Sequence, residues 1–172
     1  MAPARWWLAL LLLVPLLGGG SAGAVVTIEG TVVRVVDGDT ILVQLADRLE
    51  KVRYIGVDSP EIHHPVKGEE PGGREAATVN RGLVEGRRVR LELDVRTRDR
   101  WGRLLAYVWV GDTMINAELI RLGYAHVMTV PPNVRYVDLL EAAQDSARKE
   151  GAGHWGSNGF ACQPSRRRRG EC

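Results

Sequence analysis

The alternation of apolar and polar positions along the chain predicts five short β-strands. These strands cover residues 25–36, 40–45, 51–57, 88–95 and 104–110. The first is rich in β-branched residues and is predicted to break near Gly30. The fourth alternates most regularly, which predicts a half-buried strand with Val95 facing inward and Glu92 facing solvent. An Asp-Gly-Asp turn signal at 37–39 separates the first two strands.

Three further segments have the period of amphipathic helices. They cover residues 74–85, 114–122 and 134–149. We expect Asn133 to cap the last helix, with Leu140 and Ala147 on its buried face. Residues 63–73 contain two Pro and three Gly and are expected to form a loop. This order predicts an α+β domain, and five short strands can close into an OB-type five-stranded β-barrel with three α-helices.

The first 24 residues have the pattern of a secretory signal peptide. Arg5 is followed by an apolar run over 6–17 and by an A-x-A cleavage site at 22–24. The apolar run is shorter than the roughly 20 residues that span a bilayer. We therefore expect cleavage after Ala24, with a retained anchor as the alternative. The mature chain would be secreted or periplasmic, without stable membrane insertion.

The domain is expected to cover residues 25–157, followed by a basic tail at 158–172. In the tail, Cys162 and Cys172 allow one disulfide bridge, or two unpaired thiols. The four arginines at 166–169 are expected to be solvated, with some capacity to tether a polyanion. The whole chain carries 23 Lys and Arg against 21 Asp and Glu, a net charge of +2. That balance does not indicate a nucleic-acid binder from charge alone.

Acidic residues at predicted strand ends suggest a site for a hard cation. Asp39 and Asp58 could supply carboxylate oxygens from two separate segments, which Ca²⁺ prefers. Glu61 lies close behind and could act on a water molecule. Arg53 and Arg103 could both face a metal-bound phosphate, an arrangement suited to phosphoryl transfer. Taken one at a time, such residues are more often solvated turn acids and surface arginines.

In these residues and their order, the sequence resembles the thermonuclease, or staphylococcal-nuclease-like, family. The resemblance covers residues 26–157. Its specific part is the order of three strings: VVDGDT at 35–40, VRYIGVDSPE at 52–61 and DRWGRLLAYVWV at 99–110. It extends through MINAELIRLGYAHV at 114–127 and the last helix up to a terminal Trp. The resemblance implies an OB-type barrel and Ca²⁺-dependent hydrolysis of DNA and RNA at the P–O5′ bond, which leaves 3′-phosphates.

The resemblance also implies roles for individual residues. The metal ligands would be Asp39, Asp58 and the backbone carbonyl of Ser59, with Asp37 nearby. The catalytic residues would be Arg53, Glu61 and Arg103: Glu61 as the general base or as the group that orients the attacking water, and the arginines as phosphate ligands. Lys67 and Trp101 would contact the substrate.

The sequence departs from the family pattern at several positions. Ser59 stands where Thr is common, and only its carbonyl is required. Trp101 and Thr129 stand where the family commonly has Tyr; Trp101 could stack on a base, but Thr129 cannot. Tyr124 or Tyr136 could compensate for Thr129. The bond between residues 131 and 132 falls where the family often has a cis X-Pro bond.

Two other function classes remain open at this point. One is a non-catalytic nucleic-acid-binding module on the same barrel, against which the intact acids and arginines argue. The other is a calcium-dependent structural or adhesive module, which would have no use for Glu61 or the two arginines. The favoured hypothesis is a monomeric calcium-dependent endonuclease that acts on DNA and RNA.

Overall fold

The computed structural model describes residues 25–62, 68–156, 160 and 164–171. The strands are β1 (Thr27–Asp37), β2 (Thr40–Gln44), β3 (Leu49–Tyr54), β4 (Val57–Asp58), β5 (Arg88–Glu92), β6 (Leu104–Val110), β7 (Thr113–Met114) and β8 (His126–Val127). The helices are α1 (Gly73–Val84), α2 (Ile115–Arg121), α3 (Val137–Glu150) and α4 (Pro164–Arg169), with a 3₁₀ turn at Gly153–Trp155.

Five of these strands close into a barrel, which confirms the predicted α+β class and OB-type architecture. The antiparallel order is β3-β2-β1-β5-β6, and a parallel pairing of β3 with β6 closes the ring. Val52 lies opposite Leu104, and Tyr54 lies opposite Ala106, at the closing seam. A closed barrel leaves no long strand edge among these five strands, so edge-to-edge association is suppressed.

The barrel is filled by aliphatic side chains from every strand. Ile41, Val43, Val52 and Leu91 are completely buried, and burial of each such side chain stabilises the fold by about 1.5–3 kcal/mol. Asn116, also completely buried, joins helix α2 to the barrel. Its Nδ2 donates to the Ile55 carbonyl at 2.8 Å, and its Oδ1 accepts from the Val108 amide at 2.8 Å.

Strand β1 does not break at Gly30, contrary to prediction. It runs continuously from Thr27 to Asp37, with register shifts between Val32 and Arg34 and between Val35 and Asp37. A Cβ atom at Gly30 would lie 2.5 Å from Val43 Cγ1. The glycine therefore permits close approach of β2 within the barrel and does not terminate the strand.

The predicted strand over 51–57 is divided in two. Strand β3 ends at Tyr54, and Gly56 adopts φ = +76°, a conformation that a side chain would strain. Strand β4 then leaves the barrel and pairs with β8, where Asp58 lies opposite His126. This turn separates Asp58 from the barrel sheet and directs it toward the Asp37–Asp39 turn.

The fourth predicted strand is shorter than expected. Strand β5 ends at Glu92, and Val95 is 71% exposed, so the predicted inward position of Val95 is wrong. Glu92 is buried, because Arg135 Nη1 lies 2.8 Å from its Oε1. The apolar alternation therefore continues in the sequence past the end of the strand, and the prediction that Glu92 faces solvent is wrong.

Asn133 is not the N-cap of helix α3. The helix begins at Val137, and Asn133 instead binds the backbone of Arg96 through both ends of its amide, each at 2.7 Å. The bond between Pro131 and Pro132 is cis, as the resemblance implied was possible. Leu140 and Ala147 are buried as expected.

Several predictions fall on residues that lie outside the described ranges. They are the signal segment 1–24, Lys67, Cys162 and Cys172. In the part of the chain that the structure describes, no helix combines the length and apolarity needed to cross a bilayer.

Candidate active site

The acidic turn between β1 and β2 packs against the end of β4. A Cβ atom at Gly38 would lie 2.6 Å from Ser59 Oγ, so only glycine allows the two segments to touch. The Ser59 amide donates to Asp39 Oδ2 at 2.8 Å, and the Asp39 amide donates to Asp37 Oδ1 at 3.1 Å. These bonds bring together the two acidic segments that the sequence analysis singled out.

Arg53 binds the same acidic turn from the adjacent strand. It lies opposite Thr40 in the β2–β3 pairing, and its Nη2 is 3.1 Å from Asp39 Oδ2. Its Nη1 donates to the carbonyls of Val57 at 2.7 Å and Tyr54 at 3.1 Å. With its side chain only 9% exposed, the guanidinium is held in one orientation by a carboxylate on one side and carbonyls on the other.

The carboxylates of the site are buried close to one another. Burial raises the pKa of Asp37 well above its usual range, and the neighbouring charges of Asp39 and Glu61 raise it further. Burial also raises the pKa of Asp58 and of Glu61, and Asp39 adds to both effects. Desolvation and the neighbouring negative charges disfavour the ionised form of each carboxyl group. A bound cation would offset both effects, so the site favours a cation.

Glu70 is a member of the site that the sequence analysis did not identify. Its Oε2 accepts from the Glu61 amide at 3.0 Å, and its own amide donates to the Glu61 carbonyl at 2.8 Å. Glu70 is only 4% exposed. It lies in a Pro- and Gly-rich loop without periodicity, so no local pattern distinguished it from a solvated acid.

The tail reaches this carboxylate cluster, contrary to the prediction that its arginines are solvated. Arg168, on α4, donates from Nη2 to Asp58 Oδ1, and its side chain is 17% exposed. Its Nη1 lies 3.0 Å from Glu70 Oε2 and 3.4 Å from the Ser59 carbonyl. Asp58 itself is completely buried.

A cavity of about 530 Å³ adjoins the cluster. Its lining includes four residues singled out from the sequence: Arg53, Glu61, Trp101 and Arg103. Arg103 is fixed by Asp99, whose Oδ2 accepts from its Nε at 2.6 Å. Trp101 is 65% exposed, with the guanidinium of Arg100 4.0 Å from its ring centroid. The cavity thus combines a flat aromatic surface with fixed guanidinium groups.

Neither tyrosine that could have compensated for Thr129 lies in the cavity lining. Tyr136 packs edge-on against Tyr107 at 4.7 Å, and its hydroxyl donates to Glu92 at 2.8 Å. Tyr124 packs against His154 at 5.1 Å. Met128 and Val130 line the cavity on either side of Thr129.

Comparison with known proteins identifies the family. Residues 51–157 match the family model described as Staphylococcal nuclease homologue. The chain is 43% identical to a thermonuclease of Staphylococcus intermedius over 71% of this chain and 73% of that protein. It is 42% identical to a thermonuclease of Staphylococcus hyicus over 69% of this chain and 70% of that protein. The chain belongs to the staphylococcal nuclease homologue family. It is also 36% identical to the endonuclease YncB of Bacillus subtilis, over 76% of this chain and 63% of that protein.

The family implies a metal ion, and the chemistry of this site fits a hard cation. Within the described ranges, no group of three or more His, Cys, Asp or Glu side chains forms a metal cage. The candidate ligands are two carboxylates, Asp39 and Asp58, with the Ser59 carbonyl, all of them oxygen donors. Arg168 provides the test of fit, because its guanidinium contacts Asp58 and lies 3.4 Å from the Ser59 carbonyl. A positive group is therefore already accommodated among two of the three candidate ligands.

Proposed function

We propose that this chain is a calcium-dependent nuclease that hydrolyses phosphodiester bonds of DNA and RNA. The observation that carries the proposal is the convergence of Arg53, Glu61 and Arg103 on one cavity beside the buried carboxylates. The names of the matched relatives, thermonucleases and an endonuclease, support the same class of reaction. A binding module without catalysis would not require a buried carboxylate next to two fixed guanidinium groups.

The proposed metal site uses Asp39, Asp58 and the carbonyl of Ser59. A bound calcium ion would supply positive charge beside the scissile phosphate and so favour the buildup of negative charge on its oxygens. Oxygen-only ligands favour calcium or magnesium over the softer transition metals. We propose calcium because the resemblance to the thermonuclease family implies it, and because carboxylate and backbone carbonyl oxygens together are a usual ligand set for calcium.

Glu61 is the proposed proton acceptor. The cavity brings its carboxylate to the same space as Arg53 and Arg103, and the backbone of Glu61 is fixed by Glu70 through two hydrogen bonds. Its raised pKa makes it a better base than an ordinary glutamate. It would take a proton from the attacking water as that oxygen bonds to phosphorus.

The two arginines would bind the phosphate oxygens. Both Nη groups of Arg53 are engaged, Nη2 with Asp39 and Nη1 with backbone carbonyls, so the side chain can adjust little and presents a fixed positive charge. Arg103 uses Nε for Asp99, which leaves both Nη groups for the phosphate. The bond to O5′ breaks, the leaving oxygen takes a proton from solvent, and the products carry a 3′-phosphate and a 5′-hydroxyl group.

Trp101 is the proposed stacking surface for a base, and Lys67 a proposed contact to the substrate. Stacking on an exposed aromatic ring is insensitive to base identity, because every base has a flat face. This supports action on both DNA and RNA. We further propose that the protein acts outside the cytoplasm, on the basis of the predicted signal at residues 1–24, and that it acts as a monomer.

Digestion of supercoiled plasmid and of an RNA transcript tests the proposal. Purified mature protein should degrade both in calcium and neither in excess chelator. Glu61→Gln should lose about 100-fold or more in rate, whereas the matched control Glu141→Gln, on the exposed side of α3, should retain wild-type activity. Retention of nucleic-acid binding without cleavage in calcium would instead support the non-catalytic module.

A further inference from the structure

The last helix carries a side chain into the candidate metal site. Arg168 lies on α4, which follows the matched family domain at 51–157. Its guanidinium contacts Asp58 and lies within 4 Å of two glutamates, 3.0 Å from Glu70 and 3.8 Å from Glu61. The chain therefore places one of its own arginines among three carboxylates, where a positive charge is favoured.

The backbone of the same helix engages the remaining oxygen of Asp58. The Ser165 amide donates to Asp58 Oδ2 at 2.7 Å, while Arg168 takes Oδ1. Both carboxylate oxygens of Asp58 are therefore bound by α4. A metal ligand must offer at least one oxygen to the ion, so a calcium ion and α4 in this position compete for the same atoms.

A buried aromatic contact holds the tail near the site. Phe160 is 5% exposed, and its ring lies 4.2 Å from that of His126 and 5.2 Å from that of Trp155. His126 is on β8, directly opposite Asp58 in the β4–β8 pairing. The ring contacts of Phe160 therefore lie beside Asp58. They would keep Arg168 close to the site when it detaches from Asp58.

Helix α4 also forms part of the wall of the cavity beside the site. Ser165, Arg168 and Arg169 form part of its lining, together with Arg53 and Glu61. Although Arg168 borders the cavity, its guanidinium is paired with Asp58 and Glu70, so its positive charge is neutralised by the protein before a phosphate arrives. Its placement suits a competitor of the cation better than a ligand of the substrate.

We propose that the C-terminal tail is a built-in competitor of the metal ion, with Arg168 occupying the candidate calcium site until calcium displaces it. The proposal rests on the calcium site proposed above. Its consequence is a nuclease held latent at low calcium, which is switched on when calcium rises after export. The apparent affinity for calcium equals the intrinsic affinity of the open site multiplied by the fraction of molecules in which the site is open. If α4 is docked in nine molecules of ten, removing Arg168 should strengthen binding about tenfold.

Calcium titration by isothermal calorimetry, without nucleic acid, tests the proposal. The variants are Arg168→Gln and the matched control Arg166→Gln, which removes the same charge from an exposed side chain that pairs only with Glu171 among the described residues. We expect Arg168→Gln to bind calcium about tenfold more tightly than wild type, and Arg166→Gln to match wild type. Limited trypsin digestion gives a second readout: calcium should speed cleavage within 166–169 in the wild type.

The possible failures are distinguishable. Equal calcium affinity for wild type, Arg166→Gln and Arg168→Gln would overturn the role of the tail and leave the proposed nuclease intact. Absence of calcium binding in all three proteins would overturn both the calcium site and the competition. A higher KM for DNA in Arg168→Gln, with unchanged calcium affinity, would show that Arg168 binds substrate and would likewise overturn the proposal.

Discussion

Replacing Arg103 by lysine separates its charge from its geometry. Arg103 lines the cavity, and its Nε donates to Asp99 Oδ2 at 2.6 Å, so the two Nη groups are the donors available to a phosphate. A lysine has one ammonium group, which can stay with Asp99 or reach the phosphate, but cannot do both as the guanidinium does. Loss of one fixed donor to a developing oxyanion typically lowers kcat by about 10²-fold or more. At about 1.36 kcal/mol per tenfold, this corresponds to roughly 2.7 kcal/mol of transition-state stabilisation.

Steady-state cleavage of a short fluorescent oligonucleotide at saturating calcium and fixed salt measures the effect. Arg103→Lys should lower kcat by about 10²-fold and change KM little, because the positive charge that attracts the substrate remains. Arg88→Lys is the matched control, since Arg88 is 79% exposed and pairs with Glu29; its kcat should stay near that of the wild type. A rise in KM with unchanged kcat for Arg103→Lys would refute the reasoning.

Substitutions at three further residues test other parts of the structure. Asn116→Ala removes the partner of the Val108 amide and the Ile55 carbonyl and should lower the free energy of unfolding in urea by about 2–4 kcal/mol; a loss below about 0.5 kcal/mol would contradict that role. Asp37→Asn should raise the Tm of the metal-free protein at pH 7 by about 2 °C or more, because burial raises the pKa of Asp37 and its ionised form opposes folding. That gain should shrink as the pH falls through the raised pKa, and a constant gain would contradict the electrostatic cause. Trp101→Ala should raise KM about 5- to 160-fold, as expected for loss of about 1–3 kcal/mol of base stacking, and Trp101→Tyr should restore most of the affinity; an unchanged KM would exclude stacking.

The local sequence pattern predicted the strands of the barrel because each strand has its own pattern of apolar and polar residues. Alternation and β-branched runs depend on neighbours one or two residues away, and they placed all five barrel strands. The ends of the strands were less accurate. Val95 continues the alternation of β5, yet it is exposed because the strand ends at Glu92. Glu92 is buried and paired with Arg135, a residue far away in the sequence that the local pattern does not reveal.

The sequence alone identified residues of the candidate site only where acids and arginines stand at the ends of predicted strands. Asp39, Arg53 and Asp58 were singled out in this way, and the fold brings Asp39 within 3.1 Å of Arg53 and 2.8 Å of the Ser59 amide. Glu70 was missed because its neighbours are loop residues. Arg168 was interpreted as solvated because four consecutive arginines usually are, and only the tertiary path of the tail brings it to Asp58.

The most direct test of the proposed function is the chemical identity of the cleaved ends. A 5′-labelled single-stranded oligonucleotide should be cut by the mature protein in calcium, and the labelled fragments should comigrate with 3′-phosphate markers. Treatment with a 3′-phosphatase should then shift every fragment. Fragments with 3′-hydroxyl ends, or equal cleavage in calcium and in excess chelator, would contradict a calcium-dependent nuclease that breaks the P–O5′ bond.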